Sequence, residues 1–226
     1  MRFSIVIPTW EQHGEGLSFL NRLLDSIKAQ TFTDYEVVVS DHSKNGEIEN
    51  LCSSFEGLNI SYARNEINRG SSPANLNAGL KRATGEIIKV MFQDDFFVEK
   101  ESLYIIDISF QKTGCKWLVN GSCVTSDFKT FDGHLIPSWS DEIMVGRNTI
   151  SSPSVLSFVN EDIRFFDENL TMLMDCDYYY RLYKRYGLPC IVENYLIANT
   201  SHPHQISKLY DGDLQSEINI IKNKNL

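Results

Sequence analysis

The chain has 226 residues, of which 42% are hydrophobic, 12% aromatic and 23% charged. That length and apolar content suit a domain with a sizeable core and exclude disorder. The 21 Lys+Arg against 30 Asp+Glu give a net charge of −9, and no basic stretch is interleaved with aromatics, which argues against nucleic acid as a partner.

Near the start the longest clean apolar run is Ile5-Val6-Ile7, far below the roughly 20 residues a bilayer requires. Met1-Arg2-Phe3-Ser4 runs straight into it without a signal-peptide cleavage pattern, so the expectation is a cytoplasmic protein. The five cysteines (52, 115, 123, 176 and 190) form no C-x-x-C pair and are expected to be reduced thiols without metal or disulfide roles.

In chain order, Phe3 to Ile7 predicts a strand stopped by Pro8, and Leu17, Leu20, Leu23, Leu24 and Ile27 recur at helical spacing. Strands are expected at Tyr35 to Val39, Asn59 to Ala63 and Ile87 to Phe92, with helices around Ile48 to Phe55 and Leu76 to Ala83 between them. Such alternation predicts an α/β fold with a mostly parallel central sheet and helices on both faces. After Trp117 to Val124 the pattern breaks, and residues 125–150 read as a long functional loop. A helix at Met174 to Tyr186 and a strand at Cys190 to Ile197 follow. Leu214, Ile218 and Ile221 form an apolar stripe at i, i+4, i+7, expected to pack on the body, with a membrane or dimer contact as the other reading.

Ligands of open parallel sheets bind beyond the carboxyl ends of the strands. Those ends carry Thr9-Trp10-Glu11, Asp41-His42-Ser43 and Gln93-Asp94-Asp95. Neither a G-x-G-x-x-G turn nor a Walker loop is present to cradle a phosphate, since the first turn holds only Gly14 and Gly16. A divalent cation on Asp94 and Asp95 could hold a diphosphate instead, with Mg²⁺ or Mn²⁺ favoured by hard oxygen ligands. The competing reading is that the two aspartates cap the next helix. Asp41 reads either as an acceptor for a nucleobase N–H, with Thr9 and Glu11 nearby, or as an Asx-turn.

On the helix from Met174, residues 175, 178, 179, 182 and 186 share a face, so Asp175 points inward while Asp177 pairs with Arg181 at i+4. An inward first-turn carboxylate is a candidate general base, or it satisfies free helix N–H groups. His202-Pro203-His204-Gln205 offers two histidines that are either surface residues or a return to the carboxylate site.

Taken in order, a set of short segments resembles family 2 glycosyltransferases of the GT-A fold across nearly the whole chain. The segments are Ser4 to Thr9, Tyr35 to Asp41, Asn68-Arg69-Gly70, Asn75-Leu76-Asn77, Ala83-Thr84-Gly85-Glu86, Phe92 to Asp95, Ser152-Pro153-Ser154, Phe166 to Leu170, Leu173 to Asp177 with Arg181, and His202 to Gln205. The closest likeness is to bacterial members that build surface polysaccharides.

The resemblance implies that Thr9 and Asp41, helped by Glu11, hold the nucleotide base, that Asn75 and Asn77 line the donor side, and that Asp175 is the catalytic base. It implies Asp95 as metal ligand, Asp94 for the ribose, sugar or metal shell, and His202 rather than His204 for the diphosphate or metal. The chain departs from the family in carrying Phe92 where the first residue of Asp-x-Asp stands, Met174 where a glutamate often precedes the base, and Ser40 for one of two common acidic residues. The Gln-x-x-Arg-Trp motif of processive synthases is missing from the sequence.

The expected organisation is one GT-A-like domain over 1–226, with a nucleotide-sugar half (1–97), a smaller acceptor-side half (98–204) and a tail helix (205–226). The expected activity is inverting, metal-dependent transfer of one sugar from a nucleoside-diphosphate sugar, UDP by default, to a glycan or lipid-linked acceptor in surface polysaccharide synthesis. The setting would be cytoplasmic, at the inner face of the membrane if a peripheral contact exists. The loop 125–150, with Trp139 and Arg147, is expected to close over the acceptor. The alternatives are a non-catalytic sugar- or nucleotide-binding module on the same fold and a sugar nucleotidyltransferase.

Overall fold

A computed structural model describes residues 1–162 and 165–224, so residues 163–164 of the expected acceptor half and 225–226 of the expected tail lie outside it. Its centre is a nine-stranded sheet comprising β1 (Phe3–Thr9), β2 (Tyr35–Asp41), β3 (Ile60–Arg64), β4 (Ile87–Val90), β5 (Phe96–Phe97), β6 (Trp117–Thr125), β7 (Asp132–Leu135), β8 (Leu156–Val159) and β9 (Cys190–Thr200). The strand order is β3-β2-β1-β4-β8-β6-β9-β5, with β7 paired to β6.

The sheet is parallel through β3, β2, β1 and β4, as the alternating pattern predicts. Beyond β4 it becomes mixed: β8 runs antiparallel to both β4 and β6, β9 is parallel to β6, and β5 is antiparallel to β9. These later pairings join segments far apart in sequence.

Helices cover both faces. On one, α1 (Gly16–Lys28), α2 (Glu47–Ser54) and α4 (Ser102–Thr113) pack against Ile5, Ile7, Val37 and Val39 and, further along, Phe3, Leu118 and Leu196. On the other, α3 (Ser72–Leu80), α5 (Met174–Tyr186) and α7 (Leu214–Lys224) pack against Val6, Val38, Trp117 and Val119. Alternation along β1 sends odd residues to one layer and Val6 to the other, so both faces of this strand are buried. A four-residue helix, α6 (Ile206–Leu209), precedes α7. Among the described residues no helix is long and apolar enough to cross a membrane.

Pro8 does not end β1. It pairs with Ser40 of β2 but lies beyond the last residue that β4 pairs, Val6, so its missing N–H costs no ladder bond on that side. α3 starts earlier than its apolar spacing predicts, because Ser71 caps it by accepting from Ala74 N (3.3 Å) and Pro73 sits in its first turn. Gly85 lets the turn before β4 lie on β1: a Cβ there would come within 2.6 Å of the Phe3 carbonyl carbon and the Ser4 nitrogen. Ser4 Oγ and Thr84 N both donate to the buried Glu36 carboxylate (2.6 and 2.8 Å), whose hydrogen bonds hold its pKa low against desolvation by burial.

The segment 125–150 is not a free loop. Part of it forms β7, and a 3-10 turn at Asp141–Val145 buries Ile143 in the core. Trp139 stacks on Tyr183 (centroids 4.2 Å) and meets Trp117 edge-on, while the exposed Arg147 pairs with Glu142. Trp139 is thus spent on the body, contrary to the expectation that it closes over an acceptor. The tail helix docks through two of the three residues of the apolar stripe, with Ile221 fully buried and Ile218 packed against the same core, while Leu214 is exposed.

Candidate active site

The parallel register places Thr9 directly beside Asp41 at the carboxyl ends of β1 and β2. Both side chains are fully buried. Asp41 Oδ1 accepts from Ser43 N (2.8 Å), which is the Asx-turn, and Oδ2 accepts from Tyr62 OH (2.8 Å) on β3. Each carboxylate oxygen retains lone-pair capacity for a further donor such as a base N–H. Burial and the adjacent carboxylate push the Tyr62 phenol up to about 12, so it donates at neutral pH.

His42 organises the neighbouring Asn68-Arg69-Gly70 turn: Nε2 contacts Asn65 Nδ2 (2.9 Å) and Nδ1 accepts from Gly70 N (3.3 Å). Desolvation lowers the His42 pKa, in keeping with a neutral ring that accepts.

From Thr9 a buried polar chain crosses the strand ends. Thr9 Oγ1 donates to Gln93 Oε1, Gln93 Nε2 donates to Gln12 Oε1, and Gln12 Nε2 meets His202 Nε2 (3.2 Å). The same His202 nitrogen lies 3.0 Å from Asp94 Oδ2. Gln12 and His13 carry this chain on left-handed backbone (φ 42° and 55°), a strain that non-glycine residues hold only where surrounding contacts impose it. His204 is placed against the His13 ring (4.5 Å) rather than against Asp94.

Asp95 sits deeper. Oδ1 accepts from Thr200 N (3.2 Å), and Oδ2 from Asn199 Nδ2 (2.8 Å) and Ser152 Oγ (3.2 Å). Burial and the charge of Asp94 push its carboxyl up to about 7. Behind it the fully buried Lys89 donates to Ser154 O and lies 3.5 Å from Asn120 Oδ1; desolvation lowers its ammonium to about 7, opposed by the charge of Asp95.

Asp175 is joined to this pair by a continuous relay. Asn148 Nδ2 donates to Asp175 Oδ2 (2.7 Å) and to Ser151 O (2.9 Å), and Ser151 Oγ contacts Asn199 Oδ1 (3.2 Å), whose Nδ2 reaches Asp95. Ser151 has φ 110°, a strained value at the middle of the relay. Asp175 Oδ1 accepts from Cys176 N (2.7 Å), and burial raises its pKa to about 6 despite these donors. Asp177 is buried and pairs with Arg181 (2.8 Å), as its i, i+4 spacing predicts.

Asn75 donates to Thr9 O (2.9 Å), which brings it to the strand ends. Asn77, on the same helix, is committed elsewhere: its amide bonds Phe166 N and O and Glu168, tying α3 to the loop before α5. Glu11 is half-buried, and its carbonyl accepts from Gly14 N and Gly16 N (2.8 and 3.0 Å). Four buried polar atoms around these strand ends have no partner: Ser43 Oγ, Asn75 Oδ1, Thr200 Oγ1 and His202 Nδ1. Each leaves a cost of about 1–3 kcal/mol that a bound polar ligand or water removes.

Among the described residues no group of three or more His, Cys, Asp or Glu is arranged to hold a metal ion. The fold does offer Asp94 with the unsatisfied His202, next to Asp95. Two protein ligands completed by substrate phosphates is an ordinary donor set for Mg²⁺ or Mn²⁺, so the residues present fit such an ion.

Residues 4–109 match the family model described as glycosyl transferase family 2. That match takes in 106 of the 226 residues and likens this segment to family 2 glycosyltransferases. The chain is 26% identical over 211 residues to the uncharacterized glycosyltransferase YwdF of Bacillus subtilis, covering 84% of this chain and 72% of that protein. It is 30% identical over 106 residues to the poly(ribitol-phosphate) β-N-acetylglucosaminyltransferase TarS of Staphylococcus aureus, covering 46% of this chain and 18% of TarS. The crystal structure of S. aureus TarS 1-349 in complex with UDP-GlcNAc superposes with TM-score 0.76 at 21% identity, over 98% of this chain and 66% of that one. The mannosyltransferase PcManGT of Pyrobaculum calidifontis, solved with GDP-Man and Mn²⁺, gives TM-score 0.61 at 18% identity, over 88% of this chain and 56% of that one. The fold of the chain is thus GT-A.

The matched stretch holds Thr9, Asp41, Asp94 and Asp95 but ends inside α4, so Asn148, Ser151, Asp175, Asn199 and His202 reach the site only through the tertiary fold. Gln12, Asn148, Ser151 and Asn199 carried no signal in the sequence, since isolated amides and a serine have no diagnostic spacing, and Gln93 was placed at a strand end without a role of its own.

Proposed function

We propose that the chain transfers one sugar, with inversion, from a nucleoside-diphosphate sugar to an acceptor hydroxyl. The observation that carries this reading is the relay Asp175–Asn148–Ser151–Asn199–Asp95, which ties a partly buried carboxylate of raised pKa to the aspartate pair at the strand ends. In support, TarS bears a glycosyltransferase name and has been solved with UDP-GlcNAc, and PcManGT with GDP-Man and Mn²⁺.

In this reading the first 97 residues bind the donor and residues 98–204 face the acceptor. Asp41, with Thr9, Glu11 and Asn75 near it, holds the nucleotide base and ribose. Asp94 and His202, next to Asp95, would hold Mn²⁺ or Mg²⁺, which when bound would offset the negative charge of the diphosphate. Asp175 takes the proton of the acceptor hydroxyl as its oxygen attacks the anomeric carbon; the bond to the diphosphate breaks on the opposite side, so configuration inverts. A positioned base of this kind contributes about 10²- to 10⁴-fold in rate. With a carboxyl near 6, Asp175 is ionised at neutral pH yet basic enough to accept a proton. UDP is the default nucleotide. The acceptor is a glycan or lipid-linked sugar of bacterial surface polysaccharide, and the work is cytoplasmic.

The deciding experiment is release of UDP from UDP-sugars with Mn²⁺ by wild type and by Asp175→Asn. The proposal expects metal-dependent release in wild type and loss in the variant with UDP binding retained. Equal behaviour of the two proteins would indicate a binding module, and release of pyrophosphate a nucleotidyltransferase.

A further inference from the structure

The N-cap residue of α5 is Leu173, which has no side-chain oxygen to meet the free N–H groups of the first turn. The segment leading into the helix is held by α7, 44 residues on. Glu217 Oε2 accepts from Leu173 N (2.8 Å) and Met172 N (3.0 Å), and Oε1 from Thr171 N (3.1 Å) and Met172 N (3.2 Å). Tyr210 OH adds a fifth bond to Oε1 (2.7 Å). Glu217 is buried, and among the described residues no Lys, Arg or His pairs with it. A buried carboxylate held only by N–H and O–H donors is costly unless the donors are fixed, and here they are three successive backbone groups leading into one helix.

α7 grips α5 a second time. Lys224, seven residues after Glu217 and so on the same face, lies 3.2 Å from Asp177 and also pairs with Asp167. Ile221, between them, is fully buried in the core that α5 shares. Asp175 therefore stands between two anchors supplied by the tail, Glu217 at residues 171–173 and Lys224 at Asp177.

We propose that Glu217 is a positioning residue for Asp175: by binding the three backbone N–H groups that lead into α5, it fixes the helix start that aims the proton-accepting carboxylate at the acceptor. The inference rests on the reading of Asp175 as the general base. It adds an electrostatic consequence. A carboxylate on the amino end of α5 offsets the positive end of the helix dipole, which would otherwise favour ionised Asp175. The other titratable groups facing Asp175 are Cys176 and Tyr179 on its own helix, both kept neutral by burial, and Asn148 lies across from it without a charge. Lys224 is engaged by Asp167 and Asp177.

The test uses the full chain with Glu217→Gln, Glu217→Ala, Lys224→Ala and Asp175→Asn. It reads UDP release from UDP-GlcNAc with Mn²⁺ between pH 5 and 9, UDP affinity, folded fraction, and the titration of the Asp175 carboxyl by NMR. Glu217→Ala is expected to lower turnover on the order of 10²-fold, the loss typical of a misaimed reacting group, with UDP affinity unchanged. Glu217→Gln, which keeps one accepting oxygen, loses less. In both variants the Asp175 titration and the acid limb of the rate profile move to lower pH, whereas Lys224→Ala leaves the midpoint in place.

An unmoved Asp175 midpoint overturns the inference, as does a turnover loss that only follows the loss of folded protein, in step with Lys224→Ala. If Asp175→Asn keeps full turnover, the general-base reading itself falls, and that result is distinct from normal behaviour of the Glu217 variants beside an inactive Asp175→Asn. Should wild type leave UDP-GlcNAc intact, the Asp175 titration alone decides.

Discussion

Asn148 Nδ2 lies 2.7 Å from Asp175 Oδ2, and the amide cannot turn around, because its own oxygen accepts from Ile150 N (2.8 Å) and Ser151 N (3.1 Å). The donor is thus locked toward the carboxylate and stabilises its ionised form against burial. Asn148→Ala should raise the Asp175 pKa above its value of about 6. The acid limb of the rate profile should then move to higher pH, so that the variant loses more turnover at pH 6 than at pH 8. An equal loss at both values would deny Asn148 this role.

Asp175 also makes stability depend on pH. Its folded-state pKa of about 6 lies above the ordinary 3.8 of the unfolded chain, so the folded state binds the proton more tightly. That contribution is complete below pH 4 and is lost as pH rises through 6, by up to about 3 kcal/mol. Wild type should therefore lose stability relative to Asp175→Asn between pH 4 and pH 7, as read from the difference in their melting temperatures at the two values. A difference independent of pH would contradict the partly buried, raised carboxyl.

Tyr62 donates to Asp41 Oδ2 at 2.8 Å, leaving the rest of that carboxylate for a nucleotide base. Tyr62→Phe removes one neutral-to-charged hydrogen bond and should weaken UDP binding by about 3- to 10-fold, whereas Asp41→Ala removes the acceptor and should weaken it more. Calorimetric titration with UDP checks both, and a Tyr62→Phe protein that loses all affinity would point to a wider collapse of the β2 edge.

If Asp94 and His202 hold the divalent cation, UDP should raise the melting temperature of wild type more with Mn²⁺ than with EDTA. Asp94→Asn and His202→Ala should each remove that metal-dependent increment. Asp95 is anchored by Thr200, Asn199 and Ser152, so Asp95→Asn should in addition lower stability without any ligand.

A methyl group at position 85 would stand 2.6 Å from β1 backbone atoms that cannot move aside without breaking pairing to β2 and β4. Gly85→Ala should cost about 1–3 kcal/mol or more in denaturant unfolding, with its site chemistry unchanged in the folded fraction.

The sequence determined the first half of this protein largely by itself. Strands β1, β2 and β4 are rich in apolar residues, and each of β1 to β4 is followed by a helical pattern or a turn, which points to parallel pairing. Once that pairing is set, Thr9, Asp41, Asp94 and Asp95 must arrive at one edge, because residues that end adjacent parallel strands are neighbours. Helical periodicity put Asp175 on one face with Tyr179 and Leu182, but it did not foresee that Asp177 would be the fully buried aspartate while Asp175 is only partly buried.

Tertiary structure alone decided the rest. The mixed pairing of β5 to β9 joins distant segments through backbone bonds that carry no residue code. Only those pairings bring Asn199 and Thr200 to Asp95, and only the packing of 148–151 against them completes the path to Asp175. The tail shows the same limit: Ile218 and Ile221 announced a packed helix, but nothing local revealed that Glu217 would bind the backbone N–H groups leading into α5. Local periodicity reports burial and direction, whereas hydrogen bonds between remote segments depend on where the whole core places them.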